Sequence, residues 1–120
     1  MTLVVKPEIL EICRRKLITL KQDLLNRSRD LRAQFAMNDK STGDEIDQSV
    51  AFLAEHNFLV SQDRIRFQLA EIEMALARIE KGKFGLCEET NEPIEPDRLL
   101  AIPYTRLSVE GAELREHQCG

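Results

Sequence analysis

The 120-residue sequence predicts a mainly α fold, in which a long antiparallel coiled-coil hairpin carries a small head. Three observations favour this fold class. Two stretches have the apolar spacing of amphipathic helices, each is too long to be enclosed by a globule of this size, and only a short polar link separates them. Prolines and glycines interrupt the last third of the chain, which favours a compact irregular head there.

The first helix is predicted to begin at Pro7. Proline lacks an N–H group that would be unpaired at this position, and Glu8 places a negative charge near the positive end of the helix dipole. From there leucines recur every seven residues, which indicates a seam for a second helix. The seam leucines are Leu10, Leu17, Leu24 and Leu31.

The second helix is predicted from about Ile46 to Lys81, with Gly82 as a left-handed cap. Its carboxyl half alternates steps of four and three between apolar residues, as coiled-coil seams do. These residues are Ile65, Leu69, Ile72, Leu76 and Ile79. At about 1.5 Å per residue the two helices are roughly 45 and 55 Å long, so they must pack mainly on each other.

The link over residues 37–43 is polar and contains a glycine, which predicts a tight connection between antiparallel helices. Residues 1–81 are therefore assigned to an amino-terminal arm and a coiled-coil hairpin with its tip near residues 37–49. Residues 82–120 are assigned to the head, which ends in a short helix from about Gly111 to His117. Its breaks are Gly85, Pro93, Pro96 and Pro103.

Composition excludes several classes of function. The chain has 17 Lys and Arg against 21 Asp and Glu, a net charge of −4, so a general polyanion-binding surface is not expected. It shows neither the roughly 18 consecutive apolar residues of a membrane span nor a secretory signal, which predicts a cytoplasmic protein without membrane attachment. Three cysteines, an odd number without a pairing pattern, indicate reduced thiols.

The head contains the frame of a zinc site but few ligands. Structural zinc takes four ligands, which two Cys-x-x-Cys turns can supply. Residues 87–90 and 108–111 have the matching spacing, and only the first of the four degenerate positions is a credible ligand. These positions are Cys87, Thr90, Ser108 and Gly111. A site from Cys87, His117 and Cys119 stays open as an alternative.

An apolar core in place of the metal is the favoured interpretation. Burial of a large apolar side chain contributes about 1.5–3 kcal/mol, so several of them can offset a lost metal ion. The candidates are Phe84, Leu86, Ile94, Leu99, Leu100, Ile102, Tyr104, Leu107 and Val109. The sequence therefore predicts a degenerate zinc-finger-like head that binds no metal and needs no cofactor.

Two carboxylates, Asp44 and Asp47, stand where the second helix begins. Capping alone can explain them, because acids are favoured in a first turn and Thr42 with Glu45 fits a capping box. The functional interpretation is an acidic tip on a rigid rod, suited to entering a pore and contacting a cationic or metal-containing site. Helical periodicity by itself favours capping.

Three stretches of the sequence favour the functional interpretation of Asp44 and Asp47 over capping alone. They are LARIEKGKFGLCEETNEPI at 76–94, RLLAIP at 98–103 and LSVEG at 107–111, and they resemble the carboxyl half of the bacterial DksA/TraR family of transcription factors. The spacing from Asp44 to Cys87 is also similar to that of the family's hairpin. The resemblance covers roughly residues 10–118 and points to the cysteine-poor, zinc-independent branch of the family.

The resemblance implies a regulator that binds RNA polymerase directly, without direct sequence-specific DNA binding. Family members insert the coiled coil into the secondary channel and destabilise promoter open complexes with the acidic tip. By position, Asp44 and Asp47 match the two tip acids, and Arg64 falls on the helix face that holds the polymerase. Ser49 stands where the family has alanine, a departure at the tip itself.

Members that respond to guanosine tetraphosphate use basic side chains to bind it. The matching positions here are Glu71, Ile102 and Ala112, so this nucleotide is not expected to act with the protein.

A different class of function remains open. A helical-hairpin adaptor, or a channel blocker without tip activity, would be indifferent to the loss of Asp44 and Asp47. An enzyme is not expected, because no nucleophile with a neighbouring base and no phosphate-binding glycine loop is present. A hairpin that satisfies its own seam further predicts a monomer.

Overall fold

A computed structural model describes residues 4–41 and 48–119, and these ranges contain four helices and no β-strand. The helices are α1 (Pro7–Ser41), α2 (Gln48–Glu80), α3 (Pro96–Ala101) and α4 (Val109–Cys119). The mainly α prediction is confirmed, and α1 begins at Pro7 as the sequence predicts. The helix α1 extends beyond the predicted start of the link at residue 37, since no proline or glycine interrupts the chain before Gly43.

The predicted cap of the second helix is present. Gly82 has a φ of 72°, in the left-handed region that glycine adopts without steric cost. Its N–H donates to the carbonyl of Ile79 at 3.1 Å, and the N–H of Lys83 donates to the carbonyl of Arg78 at 2.9 Å. This pair of bonds is a Schellman motif, which satisfies carbonyls at the end of α2 that have no helical partner.

The helix α3 was missed by the sequence analysis, which interpreted Pro96 only as a break. Pro96 is the first residue of α3, a position where its missing N–H group costs nothing, and Asp97 lies in the first turn. The N–H of Ile102 closes the helix on the carbonyl of Arg98 at 2.7 Å. A proline can therefore begin a helix as readily as it ends one.

Contacts group the chain into two compact units. One unit combines Met1–Leu20 with Glu71–Gly120, and the other is Lys21–Ala70. The first contains the head together with the beginning of α1 and the end of α2. The predicted division after residue 81 follows the end of a helix and stays a prediction.

The unit Lys21–Ala70 is an antiparallel helix pair. The rings of Phe35 and Phe58 stack with centroids 4.4 Å apart and planes 9° from parallel. Seven residues earlier on α1, the Ser28 hydroxyl donates to Oε1 of Gln62 at 2.8 Å, and Nε2 of Gln62 donates to the Ser28 carbonyl at 3.3 Å. Both side chains are buried, so they form a polar layer within an otherwise apolar seam.

The other unit has an apolar core shared by α1, α2 and the head. Its buried residues include Cys13, Leu17, Ile72, Ala75, Phe84, Ile94 and Leu99. Two bonds tie α1 to α3: the Cys13 thiol donates to the carbonyl of Leu99 at 3.5 Å, and Nζ of Lys16 donates to the carbonyl of Leu100 at 2.8 Å. The head is thus fixed to α1 by packing and by hydrogen bonds.

The segment before α1 also packs on the head. Gly85 has a φ of 94°, and a Cβ on it would lie 2.3 Å from Cγ2 of Val5, which is itself buried. Any side chain at position 85 would therefore meet both backbone strain and a steric clash.

We expect Ser28→Ala to destabilise the protein by about 1–3 kcal/mol, because the buried Oε1 of Gln62 would lose its donor. The double variant Ser28→Ala/Gln62→Leu removes both polar groups and should recover most of that free energy. Urea unfolding followed by circular dichroism measures both variants. Equal destabilisation by the single and double variants would show that the pair does not act as a unit.

Candidate functional site

The four degenerate positions of the zinc frame lie together. Ser108 precedes α4, and its Oγ accepts the N–H of Gly111 at 3.0 Å, which is the bond of a helix N-cap. The same hydroxyl donates to Sγ of Cys87 at 3.4 Å. A Cβ on Gly111 would lie 2.4 Å from Sγ of Cys87, so the backbone of α4 packs directly on the sulfur.

The Cys87 turn is held by its own backbone. The N–H of Cys87 donates to the carbonyl of Glu92, and the N–H of Asn91 donates to the carbonyl of Cys87, both at 2.9 Å. Asn91 has a positive φ of 58°, which asparagine tolerates better than most residues. The tight turn of a metal knuckle is therefore present around one cysteine.

The Cys87 thiol is almost fully buried, with 1% of its surface exposed. Burial raises its pKa, but hydrogen bonds from the side chains and backbones of Ser108 and Thr90 outweigh burial and lower the pKa to about 6. Hydroxyl groups therefore favour the thiolate form of this sulfur.

These four positions do not fit a zinc ion. They offer one thiolate and two hydroxyl groups, whereas Gly111 has no side-chain donor, and structural zinc is held by thiolate, imidazole or carboxylate groups. Among the described residues, no group of three His, Cys, Asp or Glu side chains could hold a metal ion. The alternative site through Cys87, His117 and Cys119 includes the side chain of Cys119, which lies outside the described residues.

Glu89, an acid in the turn around Cys87, connects that turn to α4. Glu89 accepts hydrogen bonds from Nε and Nη2 of Arg115 at 3.3 and 3.2 Å, and from Nε2 of Gln118 at 3.1 Å. The backbone N–H of Glu88 also donates to the carbonyl of Arg106 at 2.9 Å. These contacts join the two halves of the frame, where a metal ion would join them in a four-cysteine site.

A second ion pair connects the head to α2. Nη2 of Arg106 lies 2.6 Å from Oε1 of Glu71, and both side chains are partly buried. Nearby, the guanidinium of Arg78 donates to the carbonyls of Tyr104 and Thr105 at 3.5 and 3.4 Å. Burial lowers the pKa of Arg78, although an arginine in such contact with carbonyl groups stays charged.

The positions that the resemblance connects with guanosine tetraphosphate carry no free cation. Glu71 forms an ion pair with Arg106, and the side chains of Ile102 and Ala112 are apolar and half-buried. The absence of nucleotide synergy stays a prediction, because no finding tests it.

The tip acids Asp44 and Asp47, with Thr42 and Glu45, lie outside the described residues. Ser49 is exposed in the first turn of α2. Arg64 is exposed further along α2, within the unit Lys21–Ala70. Sequence reasoning missed the pairs of Glu89 with Arg115 and of Glu71 with Arg106, because 26 and 35 residues separate the partners without any periodic relation.

Within residues 4–41 and 48–119, no helix combines the length and the hydropathy of a membrane-spanning segment.

Comparisons with known proteins agree with this architecture. Residues 82–117 match the family described as the prokaryotic dksA/traR C4-type zinc finger. The solved structure of transcription factor DksA2 from Pseudomonas aeruginosa is similar with a TM-score of 0.84 and 27% sequence identity, covering 94% of this chain and 87% of that one. This similarity confirms the predicted fold class.

Sequence relatives extend the match beyond the head. The chain is 34% identical over 109 residues to the RNA polymerase-binding transcription factor DksA of Caulobacter vibrioides, a match that covers 91% of this chain and 77% of that protein. General stress protein 16O of Bacillus subtilis is 37% identical over 67 residues, covering 48% of this chain and 40% of that protein. Because the match to DksA covers most of both chains, this protein belongs to the DksA/TraR family.

Proposed function

We propose that this protein regulates transcription by binding RNA polymerase directly. The observation that carries the proposal is the match along 91% of the chain to a relative named as an RNA polymerase-binding transcription factor. Its similarity to a solved transcription factor of the same family supports it. The protein then acts by binding in the cytoplasm and is not itself an enzyme.

The proposed mechanism uses the hairpin as a probe. The paired helices enter the secondary channel of the polymerase, and Asp44 and Asp47 destabilise promoter open complexes near the active centre. Two features support this mechanism. The acids fall between Ser41, the last residue of α1, and Gln48, the first residue of α2. The helix pair behind them has stacked aromatic rings and a buried polar layer, as expected for a stiff support.

Arg64 is the proposed anchor on the polymerase. Its side chain is exposed and makes no ion pair among the described residues, whereas Arg66 nearby is paired with Asp63 at 3.3 Å. Arg64 is therefore available to an acidic group of a partner.

The decisive test is the lifetime of open complexes at a ribosomal RNA promoter with purified bacterial RNA polymerase. We expect wild-type protein to shorten the lifetime and Asp44→Asn/Asp47→Asn to return it to baseline, because the charge is lost while shape is kept. The affinity for polymerase should change by less than about threefold, since helices and head supply most contacts.

The matched control is Asp23→Asn/Asp30→Asn, which removes two exposed carboxylates from α1 and should leave the shortening intact. Binding without any shortening by wild-type protein would favour the adaptor or channel blocker. A lack of binding to the polymerase would overturn the proposal.

We further propose that the head folds without zinc. Contacts of Ser108, Thr90 and Gly111 with Cys87, together with the Glu89–Arg115 pair, support this view, because they connect the same two chain segments that a metal ion would connect.

Treatment with a strong zinc chelator should leave the circular dichroism spectrum and the thermal unfolding midpoint unchanged. The control is Thr90→Cys/Ser108→Cys/Gly111→Cys refolded with zinc, which restores four thiolates and should lose head structure when the metal is removed. A fall in the midpoint of the wild-type protein on chelation would contradict the proposal.

The state of the Cys87 thiol can be measured by its ultraviolet absorbance as pH is varied. We expect an apparent pKa of about 6, and a higher value in Ser108→Ala, because that substitution removes the side-chain hydrogen bond that contributes most to lowering the pKa.

Since the pKa of Cys87 is depressed in the folded state, the thiolate stabilises the fold fully only above the usual thiol pKa of 9.0. That contribution decreases from pH 9 downwards and is lost below about pH 6, so Cys87→Ala should be most destabilising, relative to wild type, at the alkaline end. A Cys87 thiol that titrates near 9 would contradict this assignment.

A further inference from the structure

One edge of the helix pair Lys21–Ala70 combines exposed leucines with exposed arginines. It surrounds the buried pair of Ser28 and Gln62, whose side chains bond at 2.8 Å. On a helix, the residues three before and four after a given position lie on the same face as that position, turned about 50° away from it. For Ser28 these residues are Leu25 and Arg32, and for Gln62 they are Leu59 and Arg66.

All four side chains lie on the same edge of the hairpin. They turn away from the seam in the same sense along each chain, and antiparallel helices wind in opposite senses when both are viewed from one end. The turn therefore leads to the same side on α1 and α2. We call these four residues the Leu–Arg edge. Leu25 and Leu59 are 39% and 52% exposed, so the packing of α1 on α2 leaves much of both leucines uncovered.

The Leu–Arg edge has an excess of positive charge. Arg66 is paired with Asp63 at 3.3 Å. Arg32 is exposed, and so is Arg29, which lies one turn from both α1 residues of the edge. Within residues 4–41 and 48–119, neither Arg29 nor Arg32 makes an ion pair. Uncompensated cations beside uncovered leucines complement a partner that is both acidic and apolar.

The separation of the two leucines suits a helical partner. Each leucine lies about one turn from the buried pair, and the two lie on opposite sides of it because α1 and α2 run in opposite directions. Leu25 and Leu59 are therefore about 9 Å apart along the hairpin, close to the rise of two helical turns. A docked helix with apolar residues two turns apart would cover both leucines, and its carboxylates would reach Arg29 and Arg32.

From this combination of shape and charge we propose that the Leu–Arg edge binds an acidic amphipathic helix of RNA polymerase. The inference rests on the proposed function and adds a second contact to the one proposed for Arg64. Arg64 follows Gln62 by two residues, about 200° around the helix, so it lies on a different side of α2. The aliphatic side chains between the cations favour a protein partner, because surfaces that bind nucleic acid strands combine cations with aromatic rings.

The affinity of the full chain for purified bacterial RNA polymerase, measured at low and at high salt, tests the proposal. Arg32→Glu should raise the dissociation constant about tenfold at low salt, and by less at high salt, because salt screens an exposed charge contact. Leu25→Gln/Leu59→Gln should raise it by a similar factor at both salt concentrations, since this variant removes apolar contact and no charge. Both variants change exposed side chains, so their thermal unfolding midpoints should stay close to that of wild type.

Arg27→Glu is the matched control. It makes the same charge change at an exposed residue of α1 that directly precedes Ser28, and therefore lies on the other edge of the hairpin. This variant should bind the polymerase as wild type does.

Three outcomes would overturn the inference. If the polymerase binds wild type, and the substitutions at the Leu–Arg edge weaken binding no more than Arg27→Glu does, the inference fails and the proposed function stands. If wild type does not bind the polymerase, both fail. If Arg32→Glu weakens binding to DNA and leaves polymerase affinity unchanged, the edge is a nucleic-acid contact instead.

Discussion

The close approach of Gly111 to the sulfur of Cys87 is the constraint on which the head depends. In a site with four cysteines, a metal ion keeps the sulfurs a few ångströms apart and binds them all. Here one of those positions has no side chain at all, so the first turns of α4 pack directly on the remaining thiol. The Ser108 hydroxyl has two roles, because its oxygen caps α4 by accepting the N–H of Gly111 and its proton is donated to the sulfur of Cys87.

Ionic contacts extend this connection outwards. Glu89 ties the cysteine turn to the last turns of α4, and Glu71 ties the end of α2 to the loop before α4. Both pairs are more shielded than an ordinary surface ion pair, so solvent screens them less. A metal ion connects four points at once, whereas the Glu89–Arg115 pair connects the Cys87 turn to α4, and the Glu71–Arg106 pair adds a separate connection to α2.

The sequence predicted the parts of the fold that follow from local chemistry. Pro7 and Gly82 mark the ends of α1 and α2 because backbone geometry alone decides their preference, and the leucine repeat identifies the seam. The helix α3 was not predicted, since Pro96 fits both a break and a first helical position. The Glu89–Arg115 pair could not be predicted, because only the folded head brings its partners together. The proposed functional role of Asp44 and Asp47 rests on the family resemblance, because capping also explains acids at the start of a helix.

The buried pair of Ser28 and Gln62 has a consequence for the distance over which the hairpin can act. An apolar seam alone repeats every heptad, so sliding one helix by seven residues would still match most apolar positions. Such a slip would shift the helices by about 10 Å and the midpoint of the connection between them by about half that distance. A polar layer at one level opposes the slip, because it would leave both side chains without partners. The polar layer therefore fixes the register between α1 and α2. In the proposed mechanism, that register sets how far the connection between the two helices reaches into the channel.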